Sequence, residues 1–249
     1  MNIIISTAVC IALTAVVNKI GGNSEKRLPF KTIAKLFLGG FMSAVIILIV
    51  CMIFDDAKIG FISGFGISDT GIVYHFINDF LFIALVEEIF KYIVLRGYMK
   101  KQGSVKYAHC AVVAGAAVAA GFAASENIMY LFIDTSLVLR LLFGLTGHFV
   151  YAVFMGSELF KAAGAEDPAE KKKHELCALL IPFVMHGAYD FSCDLLQFDI
   201  DSILYLLMFL AMIIIYIRFY IIAAVKIVRE TAKADISADD TVSDYYFGN

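Results

Sequence analysis

Long apolar blocks separated by short polar segments make up almost all of this chain. The blocks are roughly 17–25 residues long, which is the length of helix that crosses a hydrocarbon core of about 30 Å. The connecting segments are too short to fold alone, so the pattern predicts one all-α, polytopic membrane domain over residues 1–229. The seven predicted transmembrane helices cover residues 2–19, 33–54, 79–98, 107–132, 137–160, 175–197 and 202–226.

Composition supports the membrane assignment and shows where the membrane domain ends. Hydrophobic residues make up 61% of the chain and charged residues 17%, with a mean hydropathy of +0.82. Soluble domains average roughly 45–50% and about 25% for the same two classes. Residues 230–249 are polar and rich in aspartate, without an apolar stripe, and therefore predict a mobile cytoplasmic tail.

Charge alternates from one connecting segment to the next. The first, third and fifth segments are rich in lysine and arginine, whereas the second, fourth and sixth have no excess of basic residues. Because basic loops stay in the cytoplasm, this pattern predicts a multi-pass protein of the cell membrane with its N-terminus outside and its C-terminus in the cytoplasm. No basic patch interleaved with aromatic residues is present, so a nucleic-acid partner is not expected.

A glutamate pair stands in the middle of the third block, in the segment LFIALVEEIFKYIVL. One charged residue at the centre of a membrane helix costs about 2.5–3.5 kcal/mol on insertion scales, so Glu87 and Glu88 need a partner. Lys91 follows within one helical turn and is predicted to be their structural counter-charge. Intramembrane ionisable groups of this kind are functional candidates by default.

Further polar residues occur in the next three blocks at a similar predicted depth. If the third helix begins after Asp79, these residues and the glutamate pair lie roughly 9–17 Å below the outer surface. That start leaves His75, Asn78 and Asp79 in the outer interface. Each group alone has an ordinary structural explanation, such as a hydrogen bond between helices, but the shared depth favours a common site. The polar residues of these three blocks are Glu126, Asn127, His148, His186 and Asp190.

Small residues are spaced four apart in the fourth block, at Ala111, Gly115 and Ala119. This spacing is typical of close helix contact in membranes. One interpretation is a central helix that brings Glu126 to its neighbours, and the other is ordinary tight packing.

Four motifs on successive blocks resemble the PrsW family of intramembrane proteases. Residues 87–91 form EExxK, residues 122–127 form FxxxEN, His148 stands alone in the fifth block, and residues 186–190 form HxxxD. The resemblance covers residues 80–195, which is the expected motif core. The family is distantly similar to CAAX prenyl proteases and bacteriocin-processing enzymes. The lysine of the first motif and the Glu-Asn ending of the second favour PrsW, so prenylated substrates are not expected.

The resemblance implies hydrolysis of a peptide bond in a membrane-tethered protein near the outer face. For PrsW proteases this is typically site-1 cleavage of a single-pass anti-sigma factor in bacterial regulated proteolysis. The residues that the resemblance implies as catalytic are Glu87, Glu88, Glu126, Asn127, His148, His186 and Asp190.

Two mechanisms are compatible with these residues. In the first, a glutamate of the pair deprotonates water, a histidine polarises the carbonyl or protonates the leaving amine, and Asn127 donates to the oxyanion. In the second, a glutamate of the pair is again the base, and the site holds a zinc ion. Similarity to the prenyl proteases favours the first, which needs no cofactor. The zinc ligands in the second would be His148 and His186 with Glu126 or Asp190.

Two other functions compete with proteolysis. Intramembrane Glu, His and Asp also form the proton relays of proton-coupled transporters. The lack of an inverted repeat and of paired broken helices argues against a transporter. A non-catalytic membrane scaffold or immunity protein of the same superfamily is the second alternative, and the intact motifs argue against it.

Overall fold

The structure is a computed structural model that describes residues 2–20, 27–101, 107–130, 144–195 and 203–236. These ranges are helical apart from short turns and contain no strand, so the all-α prediction is confirmed. A π-helical segment, Asn78–Ala84, joins two α-helices without a break, so the described chain forms seven consecutive rods. The α-helices are α1 Asn2–Ile20, α2 Phe30–Ser63, α3 Ile72–Ile77, α4 Leu85–Lys101, α5 Ala108–Tyr130, α6 Thr146–Gly164, α7 Pro168–Leu195 and α8 Ile203–Ile236.

Within the described ranges, three helices are long and apolar enough to cross a membrane by length and composition, namely α2, α5 and α7. A shorter apolar helix covers Thr7–Lys19. The count of seven crossings and the orientation of the chain stay predictions. Helix α8 continues to Ile236, beyond the predicted end of the seventh span at residue 226. Residues 237–249 of the predicted mobile tail lie outside the described residues.

The rod that carries the glutamate pair begins earlier than the predicted span. Helix α3 starts at Ile72, after Gly71 in an extended conformation, and runs through the π-helical segment into α4. His75, Asn78 and Asp79 are therefore part of the helix rather than of a loop that precedes it. The start of this helix therefore gives no depth for Glu87, and the structure instead places Glu87 beside His148 and His186.

Helix α5 is the central element of the fold and is buried along most of its length. Gly115 of α5 and Gly156 of α6 let these two helices touch, because a Cβ atom on either glycine would collide with a backbone oxygen of the other helix. Gly40 of α2 and Gly121 of α5 have the same role on the opposite side. The small residues of the fourth block thus allow backbone contact on two faces, and they hold α5 among α2, α6 and α1.

Helices α6 and α7 form an antiparallel hairpin with a three-residue turn at residues 165–167. Asp167 ends the turn, and its Oδ1 accepts a hydrogen bond from the backbone N–H of Ala169 at 3.0 Å. Pro168 occupies the first position of α7, where the missing N–H has no cost. His148 and His186 lie at similar distances from this turn, roughly 25 Å at 1.5 Å per residue. The hairpin therefore brings the two histidines to one level.

Candidate active site and metal-binding triad

Lys91 lies at the centre of the buried polar cluster. Its ammonium donates to Glu88 Oε1 at 2.8 Å and to Glu87 Oε2 at 3.3 Å, as the one-turn spacing predicts. It also lies 3.1 Å from His148 Nδ1 and 3.9 Å from the centroid of the Phe122 ring. One cation therefore contacts both glutamates of the pair and a histidine from another helix.

His186 connects α7 to the glutamate pair. Its Nδ1 lies 2.9 Å from Glu88 Oε1, and since a carboxylate only accepts, the imidazole donates through Nδ1–H. Its Nε2 lies 3.8 Å from Glu87 Oε2 and 3.2 Å from Asp190 Oδ2. The second of these contacts lacks hydrogen-bond geometry. The bond to Glu88 fixes the orientation of the ring and leaves Nε2 facing Glu87 and Asp190.

His148 has a polar neighbour at each ring nitrogen. Lys91 can only donate, so Nδ1 accepts from its ammonium. The other nitrogen, Nε2, then carries the proton and donates to Glu126 Oε2 at 2.7 Å. Glu126 and Lys91 thereby set the tautomer of His148, and a metal ion bound at this histidine would replace one of the two contacts.

The two glutamates of the pair differ in what they face. Glu88 is fully buried, and its Oε1 accepts from both Lys91 and His186. Glu87 is 9% exposed and lines a cavity of about 470 Å³. Glu126, His148, His186 and Asp190 line the same cavity. Of the pair, Glu87 is therefore the residue that meets the contents of the cavity.

Glu87, His148 and His186 each offer a ligand atom within 4.8 Å of the others. Two histidines with one carboxylate form a known catalytic zinc set. Within the described ranges no other group of His, Cys, Asp or Glu is as compact. The predicted third ligands, Glu126 and Asp190, lie beside the two histidines but outside this compact group, so their role as ligands stays a prediction. A metal ligand usually has a carboxylate behind it, as His186 has Glu88 and His148 has Glu126.

Unpaired oxygens support the fit of a cation. Among the described residues, the buried atoms Glu88 Oε2 and Asp190 Oδ2 have no hydrogen-bond partner. Buried polar atoms are nearly always paired, so these two oxygens indicate an excess of negative charge in the cluster. A divalent cation held by the triad would offset that excess.

Asn127, like Glu88, is a predicted site residue that does not line the cavity. It is 3% exposed on α5, next to Glu126, and is not part of the cavity wall. The adjacent position on a helix points about 100° away, which explains why Glu126 reaches the site and Asn127 does not.

The sequence did not reveal that two acidic residues, Glu158 and Asp79, are buried. Glu158 is 6% exposed and contacts Lys161, His174 and Lys226. Its position at the end of the fifth predicted span, beside Lys161, is typical of an ordinary interfacial pair. Asp79, which was predicted to be interfacial, is 2% exposed and lines the cavity. The available signal for Asp79 was its spacing of four residues after His75 and eight before Glu87, although Ile83 interrupts this pattern.

A helical fold with candidate membrane spans, and with a buried two-histidine, one-carboxylate group that could hold a metal ion beside a cavity, is typical of a membrane-embedded hydrolase. Residues 28–217 match the family described as "PrsW family intramembrane metalloprotease", and the chain belongs to this family. The resemblance inferred from the four motifs is thereby confirmed.

Individual relatives agree with the family match. The protein named "Protease PrsW" from Oceanobacillus iheyensis is 34% identical over 118 residues, which are 47% of this chain and 54% of the relative. The protein of that name from Bacillus subtilis is 34% identical over 119 residues, with the same two shares. The one from Clostridioides difficile is 27% identical over 172 residues, or 66% and 68%. The chain spans about half the length of most curated relatives it matches. No solved structure matches it.

Proposed function

We propose that this protein is a metal-dependent protease that hydrolyses a peptide bond of a membrane-tethered protein in the outer half of the membrane. The observation that carries the proposal is the triad of Glu87, His148 and His186 at the wall of the cavity. The family description supports metal dependence, so the metal-free mechanism favoured by the prenyl-protease comparison becomes the alternative. The substrate class implied by the resemblance is a single-pass anti-sigma factor in the cell membrane.

In this proposal the triad residues hold a zinc ion, which when bound supplies Lewis acidity and an activated water. Glu88 orients His186 through Nδ1–H, and Glu126 orients His148 through Nε2–H. Lys91 offsets the negative charge of the glutamate pair. These three residues are therefore assigned to positioning the ligands rather than to the reaction itself.

Asp190 is the carboxylate best placed to accept a proton at the cavity. It lines the cavity, and its Oδ2 has no hydrogen-bond partner among the described residues. Glu126 also lines the cavity, but its Oε2 accepts a hydrogen bond from His148. We therefore assign the general base to Asp190 rather than to a glutamate of the pair.

The test uses the purified chain in lipid nanodiscs with a membrane-tethered peptide library. Wild type is expected to contain zinc, to cleave the tethered peptides and to lose cleavage with a strong chelator. His186→Ala should lose both zinc and cleavage, whereas Glu170→Gln, at an exposed acid, should retain both. Cleavage that survives complete metal removal would favour the metal-free mechanism. No cleavage by zinc-loaded wild type would refute the protease, and proton flux in liposomes would then point to a transporter.

A further inference from the structure

The outer half of the cavity contains a second group of polar residues, beyond the triad. Asn78, Asp79 and Asp194 line it together with Asp190. His75 Nδ1 lies 2.6 Å from Asp194 Oδ2, so a contact joins α3 to α7 at this end. At the other end His186 of α7 contacts the glutamate pair of α4. The cavity wall between these two contacts carries Asp79 and Asp190.

Asp79 is a buried carboxylate, and only one of its two oxygens has a hydrogen-bond partner among the described residues. Its Oδ1 accepts from Asn78 Nδ2 at 3.1 Å, whereas its Oδ2 has no hydrogen-bond partner among the described residues. The residue is 2% exposed, so bulk water does not replace the missing partner. Burying a carboxylate oxygen without a partner is costly, and because Asp79 lines the cavity, the missing partner can arrive there with a ligand.

The basic groups near Asp79 already have other partners. His75 contacts Asp194 at 2.6 Å. Lys58 contacts Asp55 at 2.7 Å and Asn78 Oδ1 at 3.0 Å. The other charged neighbours of Asp79 are Asp190 and Asp194, both acidic. This end of the cavity therefore has more negative than positive charge.

We propose that Asp79 binds a basic side chain, lysine or arginine, of the peptide substrate. The inference rests on the proposed protease function and adds a charge preference to it. A basic side chain fits better than a second metal ion, because Asp79, Asp190 and Asp194 do not form a compact three-ligand group. An ammonium or guanidinium group can donate to carboxylates that lie further apart.

The position of the basic residue follows from the helix geometry. Asp79 precedes Glu87 by about two helical turns on the same rod, which places them roughly 12 Å apart along the axis. An extended peptide advances about 3.3 Å per residue. The preferred lysine or arginine should therefore lie about three to four residues from the cleaved bond.

The test places Lys, Arg, Gln, Met or Glu in turn at each of the five positions on either side of the cleaved bond in a tethered substrate. Wild type should prefer Lys or Arg at one position, with about 10–100-fold higher kcat/KM than Gln, the range of a charge-assisted hydrogen bond. Asp79→Asn should reduce this ratio to about one. Asp69→Asn, at an exposed aspartate of the preceding turn, should keep the wild-type ratio.

A second measurement does not depend on the folding of a variant. Butylguanidinium should inhibit wild type more strongly than butylurea, which has the same shape without the charge. Cleavage without any preference for a basic residue would overturn the role of Asp79 and leave the protease intact. Loss of the preference on addition of calcium or magnesium would overturn it in favour of a metal-ion site. No cleavage of any substrate would instead remove the proposed function.

Discussion

Two clusters of buried charge lie at opposite ends of the α6–α7 hairpin, and they are balanced differently. In the Glu158 cluster one acid meets three basic residues. Glu158 Oε1 accepts from Lys161 at 2.7 Å and Lys226 at 3.2 Å, and Oε2 lies 2.7 Å from His174. In the Lys91 cluster one lysine and two histidines meet four carboxylates. Its members are Lys91, His148, His186, Glu87, Glu88, Glu126 and Asp190.

This difference in charge balance is the one expected between a cluster that has only a structural role and a cluster that belongs to the proposed active site. Both oxygens of Glu158 are paired, and its partners tie together α6, α7 and α8, so the cluster is complete within the chain. The Lys91 cluster retains buried oxygens on Glu88 and Asp190 that have no partner among the described residues. Removing one member of a fully paired buried cluster destabilises the fold, whereas an excess of carboxylates beside a cavity can be offset by protons or by the cation of the proposed metal site.

The largest difference between the clusters should be seen in catalysis. Glu87→Gln removes a ligand and is expected to lower both zinc affinity and kcat/KM, the latter by at least about 1,000-fold. Asp190→Asn should lower kcat by about 100–10,000-fold while zinc stays bound, because it removes only the proton acceptor. Metal content and cleavage rate, measured on the same samples, distinguish the two. If Asp190→Asn lost zinc and Glu87→Gln retained it, Asp190 would be the ligand and Glu87 the proton acceptor.

The next effect concerns the stability of the Lys91 cluster without metal. Lys91→Met leaves two buried glutamates without their lysine, and the metal-free protein should lose about 3–5 kcal/mol of unfolding free energy. The double variant Lys91→Met/Glu88→Gln should recover part of this loss, since it removes one of the uncompensated charges. Unfolding in detergent, followed by circular dichroism, provides the measurement. Additive effects of the two substitutions would show that the pair is not coupled.

A smaller effect is expected in the Glu158 cluster. Glu158→Gln removes the common acceptor of three basic groups, but these are partly exposed, so the loss should be about 1–3 kcal/mol. Cleavage at a temperature where the variant stays folded should remain within about threefold of wild type. A folded Glu158→Gln protein that binds zinc and does not cleave would contradict the structural assignment.

The smallest effect on the unfolding free energy is expected for an exposed ion pair, which serves as the reference for both buried clusters. Glu170 and Lys173 form an exposed pair one turn apart on α7, with distances of 3.1 and 3.2 Å. Lys173→Ala should change the unfolding free energy by at most about 0.5 kcal/mol, because water and salt screen the pair. A change as large as that of Glu158→Gln would mean that burial does not distinguish the two pairs.

The sequence predicted the helical rods and a set of candidate site residues, but not how these residues are arranged. Hydrophobic blocks located the helices because membrane length is a strong constraint, and matched depth grouped His148, His186 and the glutamate pair. The side of the helix that Glu87 occupies could not be predicted, since the π-helical segment before it shifts the phase of a 3.6-residue repeat. Burial of Asp79 and the three partners of Glu158 depend on which helices pack together, and no local pattern contains that information.

The contact between Lys91 and the glutamate pair also bears on how the protein is made. Glu88 is separated from His186 by 98 positions, whereas Lys91 follows it by three. As part of a predicted span, α4 is translated long before the histidine that completes the proposed site. In that interval Lys91 is the one partner available within the same helix. Lys91, one turn away, can thus offset the charge of the glutamate pair in the nascent chain before the folded site forms.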